Sequence, residues 1–201
     1  METINIRLTG QSPLLMSADR LADPLDPATI EHKKLTSIRG KAKTHDVVVA
    51  IAKSQYTNGV YYEEGVGPVI PTVNIKKCLE EGAKLSRNGD KVRKGVIIFE
   101  ENAVLEYNKR PKKGFHTPED LWNKAPIYLD KRPVVVGQSK VMCYRPKFSS
   151  WSVDLTIHFD TEITESGWII DFFNAAGAYV GIGGFRVAKN GNFGRFTAQE
   201  I

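Results

Sequence analysis

A chain of 201 residues, 41% of them hydrophobic, can bury a core of its own, which excludes wholesale disorder and suits a single domain. A formal net charge of +5 favours an acidic partner, whether nucleic acid, an anionic membrane or an acidic protein. Cys78 and Cys143 stand far apart and the four histidines are scattered, so the spacing of a structural zinc site is missing and two reduced, buried thiols are expected.

The opening Met1-Glu-Thr-Ile-Asn-Ile-Arg alternates as a strand over 3–9 and does not read as a signal peptide. No apolar run approaches the ~18 residues that span a bilayer, so a cytoplasmic protein without a membrane partner is expected. A carboxylate-bearing loop follows, with Asp19, Asp23 and Asp26; Asp26 before Pro27 reads as a helix N-cap with proline at the first helical position. Residues 28–56 predict two helices broken near Gly40, with a basic break at Lys33, Lys34, Arg39, Lys41 and Lys43. This polar piece, 19–58, reads as an insertion.

Val60-Tyr61-Tyr62 is a short strand. A helix is expected over 73–86, capped by Thr72, with Ile75, Cys78, Leu79 and Gly82 on one face and Gly82 allowing close backbone approach. Residues 95–99 and 103–107 read as a hairpin, and a basic, turn-rich loop occupies 107–116. Arg132–Val136 is a β-branched run. Val141–Phe148 and Trp151–Phe159 predict an antiparallel pair around Ser149-Ser150, the second strand alternating Trp151, Val153, Leu155, Ile157 and Phe159 inward. His158 on the polar face of that strand and His116 in its loop are expected at the surface. A helix over 165–180 turns Ile169, Phe172, Phe173, Ala176 and Val180 inward, and a last strand closes the chain at 193–199. The order gives an α+β class, compatible with a ferredoxin-like (RRM-like) antiparallel sheet carrying two helices on one face and an inserted basic helical lobe.

Between the last helix and strand lie Gly181, Gly183, Gly184, Gly191 and Gly194, with Arg186, Lys189 and Arg195 as cations and Phe185, Phe193 and Phe196 as rings. Glycine admits positive φ and close approach of a phosphate or another backbone, and the rings either stack on bases or anchor the loop. A dinucleotide fingerprint needs its glycines before a helix; here the helix comes first and presents the wrong end of its dipole.

With its aromatics, the pattern apolar-Gly-x-Gly, basic spacer, Gly-x-x-Gly resembles the C-terminal glycine loop of the RAMP superfamily, the RRM-like proteins of CRISPR effector complexes. Gly67-Pro-Val-Ile-Pro71-Thr72-Val-Asn-Ile-Lys-Lys-Cys-Leu79 resembles the segment that opens the family's first core helix, departing from it at Thr72, where the family has glycine. The first strand running into Ser12-Pro13-Leu14 is a weaker match, and the middle of the chain carries none.

The resemblance implies a single RRM-like domain over 1–201 that holds single-stranded RNA (or single-stranded DNA), as a homo-oligomer or a subunit of a ribonucleoprotein complex in antiviral defence. It suggests a compact, phage-borne relative in a prokaryotic or phage-infected cytosol. Candidate nucleic-acid contacts are Arg39, Lys41, Lys43, Lys140, Arg145, Lys147, Gly181, Gly183, Gly184, Arg186, Lys189 and Arg195. The expected protein is non-catalytic and needs no cofactor. One alternative is an endoribonuclease, with Mg2+ on Asp19, Asp23 and Asp26 or with His32 and His45 as acid and base. Another is an interaction module docking on an effector complex.

Overall fold

A computed structural model describes the backbone of residues 1–201 and every side chain except that of Val136. The chain runs β1 (Glu2–Gly10), β2 (Leu14–Leu15), α1 (Pro27–Ser37), α2 (His45–Thr57), β3 (Tyr62–Glu63), β4 (Gly67–Pro71), α3 (Thr72–Lys84), α4 (Gly89–Gly95), β5 (Val96–Ile97), β6 (Asn102–Val104), β7 (Glu106–Tyr107), α5 (Pro118–Asn123), β8 (Leu129–Val136), β9 (Ser139–Phe148), β10 (Trp151–Phe159), α6 (Ser166–Tyr179) and β11 (Phe196–Glu200). It is an α+β protein with antiparallel sheets.

The central sheet has the order β11-β1-β10-β5, with β7 also on β10. Ile4, Ile6 and Leu8 of β1 stand opposite Ile157, Leu155 and Val153 of β10, and all six are buried. The period of two that marks these strands therefore corresponds to one dry face and one wet face. The dry face joins Ile75, Cys78 and Leu79 of α3 and Ile169, Phe172, Phe173 and Ala176 of α6 in one core. The two helices cross at Gly82, where a Cβ would lie 2.5 Å from the Phe172 carbonyl oxygen, so the absence of a side chain sets how closely they pack.

Some pairings differ from expectation. β9 and β10 do not pair; β9 lies between β2 and β8, while β10 lies between β1 and the short strands β5 and β7. Both edges of each strand are taken, so Ser149-Ser150 is a corner between sheets. Residues 95–99 and 103–107 do not form a hairpin either: β5 and β7 pair with β10, and β6 with β4. Thr72 does not cap α3; its hydroxyl donates to the carbonyls of Glu100 (2.5 Å) and Glu101 (3.0 Å), and Pro71 occupies the N-cap.

Asp26 does cap α1, its Oδ1 accepting the Ala28 N–H at 2.7 Å, and the break between α1 and α2 holds a turn at Gly40–Ala42. The two helices meet the rest of the molecule mainly through α2: Tyr56 is fully buried and donates its hydroxyl proton to the Tyr128 carbonyl at 3.0 Å. No helix among the described residues is long and apolar enough to cross a membrane.

Candidate nucleic-acid interface

The glycine loop is laced to the segment that follows β1. Gly181 donates its N–H to the Ala176 carbonyl (2.8 Å) and closes α6. Gly184 then donates to Leu15 (2.8 Å), Ile182 to Gly194 (3.0 Å), Gly194 to Pro13 (2.9 Å), and Gln11 to Arg195 (2.7 Å). Gly194 has φ +67°, and a Cβ there would fall 1.8 Å from the Ile182 carbonyl oxygen, so its identity is dictated by this internal lacing. Gly184 differs: the nearest atom to its Cβ position is 3.6 Å away.

The loop, the β2 segment and α3 enclose a cleft of about 410 Å³. Leu14, Met16, Ile70 and Ile182 form its floor and Tyr61 one side. Asn74, Lys77, Cys78 and Glu81 face it from α3, while Gly181, Gly183, Gly184, Arg186 and Lys189 come from the loop. Glu81 takes an ion pair from Lys84 at 2.8 Å, a hydrogen-bonded contact that holds its carboxyl below the usual range. Lys77 is shared by Glu80 and Glu81 at 3.5 Å. Arg186 donates through Nη1 to the Gly183 carbonyl at 3.2 Å, and Lys189 is exposed with no ion pair among the described residues. The Cys78 thiol donates to the Gly181 carbonyl at 3.3 Å, and burial pushes it up to about 12, so it is a protonated packing group rather than a nucleophile.

The hairpin β8–β9 braces the far side of the loop. Its register sets Asp130 opposite Arg145 and Arg132 opposite Cys143. The Arg132 guanidinium lies 4.9 Å from the ring centre of Phe185 and 4.6 Å from that of Phe193, and is held bidentately by buried Asp130. Arg145 covers Phe185 at 4.9 Å, with Nε and Nη1 buried and without a hydrogen-bond partner among the described residues. Phe196 is buried beside Trp151, 6.2 Å between ring centres. Phe193 and Phe196 are engaged from within the fold, while Phe185, covered by the two arginines, also lines the cleft.

The other candidates are dispersed. Arg195 donates to the Ala178 carbonyl near the C-terminal end of α6, where the dipole favours a cation, and does not line the cleft. Arg39, Lys41 and Lys43 are exposed around the turn between α1 and α2 and do not line it either. Lys140 is exposed near the hairpin tip, and Lys147 is half-buried beside Leu15.

Asp26 is engaged by Arg20 (2.9 Å), which with the Ala28 N–H holds its carboxyl low, and Asp23 accepts the Leu25 N–H (2.9 Å). Asp19 precedes the turn at Arg20–Ala22. His32 Nδ1 meets the Ser54 hydroxyl at 2.9 Å, and His45 is exposed at the start of α2. Among the described residues, no three His, Cys, Asp or Glu side chains come together to hold a metal.

His116 is not at the surface: it is buried between Tyr107 and Tyr128. His158 stays on the wet face, 3.1 Å from the Thr3 hydroxyl. That face carries no aromatic of β1, β10 or β11, since Trp151, Phe159 and Phe196 all point inward.

Asp130, Arg132, Tyr61, Asn74 and Lys77 are site residues that sequence reasoning does not single out. A signal exists for α3, because Asn74, Lys77, Cys78 and Glu81 fall at i, i+3, i+4 and i+7, one stripe of a helix.

Compared with known proteins, the chain matches no family model, and no curated protein matches it in sequence.

Proposed function

We propose that this chain binds single-stranded nucleic acid, RNA in the first instance, without cleaving it, and does so at the cleft between α3 and the glycine loop. The observation that carries this reading is the placement of Arg186 and Lys189 on one concave surface walled by loop backbone, across from Lys77, which Glu80 and Glu81 hold. Cations that track phosphates, a backbone that admits close approach and an aromatic wall are what a single strand requires.

The strand order β11-β1-β10-β5 also supports a ferredoxin-like core, with α3 between β1 and β5 and α6 between β10 and β11. On the resemblance of the glycine loop, we also propose kinship to the RAMP superfamily and a place in a ribonucleoprotein complex. Assembly along the strand is part of the same proposal. A second cleft, about 500 Å³, on the wet side of the sheet is lined by Glu100, Glu106 and Asp154; Asp154 is paired with Arg7 at 2.6 Å and Glu106 with Arg110, which leaves Glu100 as the carboxylate there without an ion pair among the described residues.

The test is fluorescence anisotropy with labelled RNA and DNA oligomers at two salt concentrations, with light scattering alongside. Binding that weakens with salt is expected. Absence of binding at low salt sinks the reading, and a monomer mass unchanged by oligomer sinks the assembly part.

A further inference from the structure

Resting on that reading, we propose that the cleft is a subsite for one nucleotide of the bound strand, with its base turned out of the stack and inserted between Tyr61 and the apolar floor. A groove that only follows phosphates needs charge and little depth. This one has about 410 Å³, within the ~300–1,000 Å³ of small-ligand pockets. Leu14, Met16, Ile70 and Ile182, at most 5% exposed in each residue, close its bottom as part of the core, so what a flat body meets at full depth is apolar. Tyr61 supplies a ring, its hydroxyl tied to the Ser17 carbonyl at 3.3 Å. Unstacked bases are held against such rings in single-strand recognition.

The polar groups divide along the cleft in a way that orients the ligand. Asn74 presents both a donor and an acceptor, suited to the edge of a base. On the α3 side Glu81 is paired with Lys84 at 2.8 Å and with Lys77 at 3.5 Å, so the lysine that lines the cleft there is already engaged. Arg186 and Lys189 stand on the loop side, where Lys189 has no ion pair among the described residues. Gly184 lies on the same wall, its N–H taken by the Leu15 carbonyl at 2.8 Å. A flat apolar body, a polar edge and an anion at one end describe a nucleoside monophosphate unit.

The experiment uses the full chain and two probes. In the first, adenosine and uridine 5′-monophosphates are titrated calorimetrically against wild type, Tyr61→Leu and Asn74→Ala, with circular dichroism confirming the fold of each. In the second, a short RNA carries 2-aminopurine or an abasic site at each position in turn.

Saturable mononucleotide binding, weakened about tenfold or more in either variant, and one strand position at which base removal lowers affinity by a similar factor are expected. Strand binding indifferent to abasic sites, with no mononucleotide binding, overturns the subsite and leaves strand binding standing. Mononucleotide binding without strand binding supports the pocket chemistry, as a site for a free nucleotide, and overturns the single-strand reading. Absence of both overturns both.

Discussion

The Arg132 guanidinium lies 4.6 Å from the centre of the Phe193 ring, on the loop between α6 and β11. The same guanidinium neutralises Asp130, a carboxylate that is 6% exposed. Removing the cation should therefore cost more than the cation–π contact alone. Arg132→Met is expected to lower stability by about 1–3 kcal/mol in urea unfolding, because it strands a buried charge. Phe193→Leu should cost at least the contact itself, about 0.5–1 kcal/mol. Asp130→Asn combined with Arg132→Met should recover part of the loss; a double variant less stable than Arg132→Met would contradict the pairing.

Asn174 of α6 shields the outer edge of the sheet. Its Oδ1 accepts the Ala198 N–H at 2.8 Å, and its Nδ2 donates to the Ala198 carbonyl at 3.4 Å. An amide in this position does what a neighbouring strand would do for β11. Asn174→Ala is expected to cost about 1–2 kcal/mol and, by baring strand hydrogen-bonding groups, to promote association visible in light scattering. A variant that stays as stable and as monodisperse as wild type would show that the edge needs no such cover.

Glycines 184 and 194 should separate shape from binding. Gly194→Ala places a methyl group into the Ile182 carbonyl at φ +67° and is expected to lose about 2–4 kcal/mol. Gly184→Ala meets nothing closer than 3.6 Å and should stay within about 0.5 kcal/mol of wild type. If strand binding falls in Gly184→Ala while the urea midpoint holds, the loop backbone is a contact surface as well as a structural turn.

Acid should destabilise the fold through His116. The Tyr107 hydroxyl accepts the His116 backbone N–H at 3.3 Å and lies 3.1 Å from Nδ1 of the ring, a hydrogen bond whose direction follows the tautomer. Burial, with Lys124 adding to it and Asp120 opposing, lowers the pKa below its ordinary 6.5. The folded state then binds fewer protons than the unfolded state, so stability is complete above about 6.5 and falls as the pH drops through the folded value. His32, also lowered by burial, acts in the same direction. His116→Gln should flatten, without abolishing, the decline in denaturation midpoint between about pH 7 and pH 5. An unchanged slope would place the titration elsewhere.

The legible parts of this fold are those whose signal is local. Ile4-Ile6-Leu8 and the alternation from Trp151 to Phe159 announce half-buried strands, and Phe172-Phe173-Ala176 announces the inner stripe of α6, because period and burial are linked by geometry. Alternation tells which face is dry but not which strand lies alongside, so it does not specify the partners of β9 and β10. His116 is illegible for a similar reason: what buries it is Tyr107 and Tyr128, brought together by tertiary packing. At the candidate site, the position of the glycine loop can be read from order alone. The arginines that occupy its rings cannot, since they depend on the register that sets Asp130 against Arg145. The stripe Asn74-Lys77-Cys78-Glu81 is readable but masked, because Cys78 and Leu79 mark the adjoining core face of the same helix.

If the strand lies in the cleft, the basic clusters are unequal. Arg186 and Lys189 line it, whereas Arg39, Lys41 and Lys43 are exposed around a turn that does not. Exposed charges that make no contact with a strand held in the cleft act on it only through salt-screened attraction, so the lobe is expected to affect association more than the bound state. Arg186→Ala with Lys189→Ala should therefore weaken RNA binding by about 1–3 kcal/mol and flatten the log–log salt slope by about 1.4, at ~0.7 for each single-strand phosphate that goes unneutralised. The triple replacement of Arg39, Lys41 and Lys43 by alanine should slow association at low salt and leave affinity near physiological salt almost unchanged. Equal effects of the two replacements, measured by anisotropy across a salt series, would move the strand's path off the cleft and onto the helical lobe.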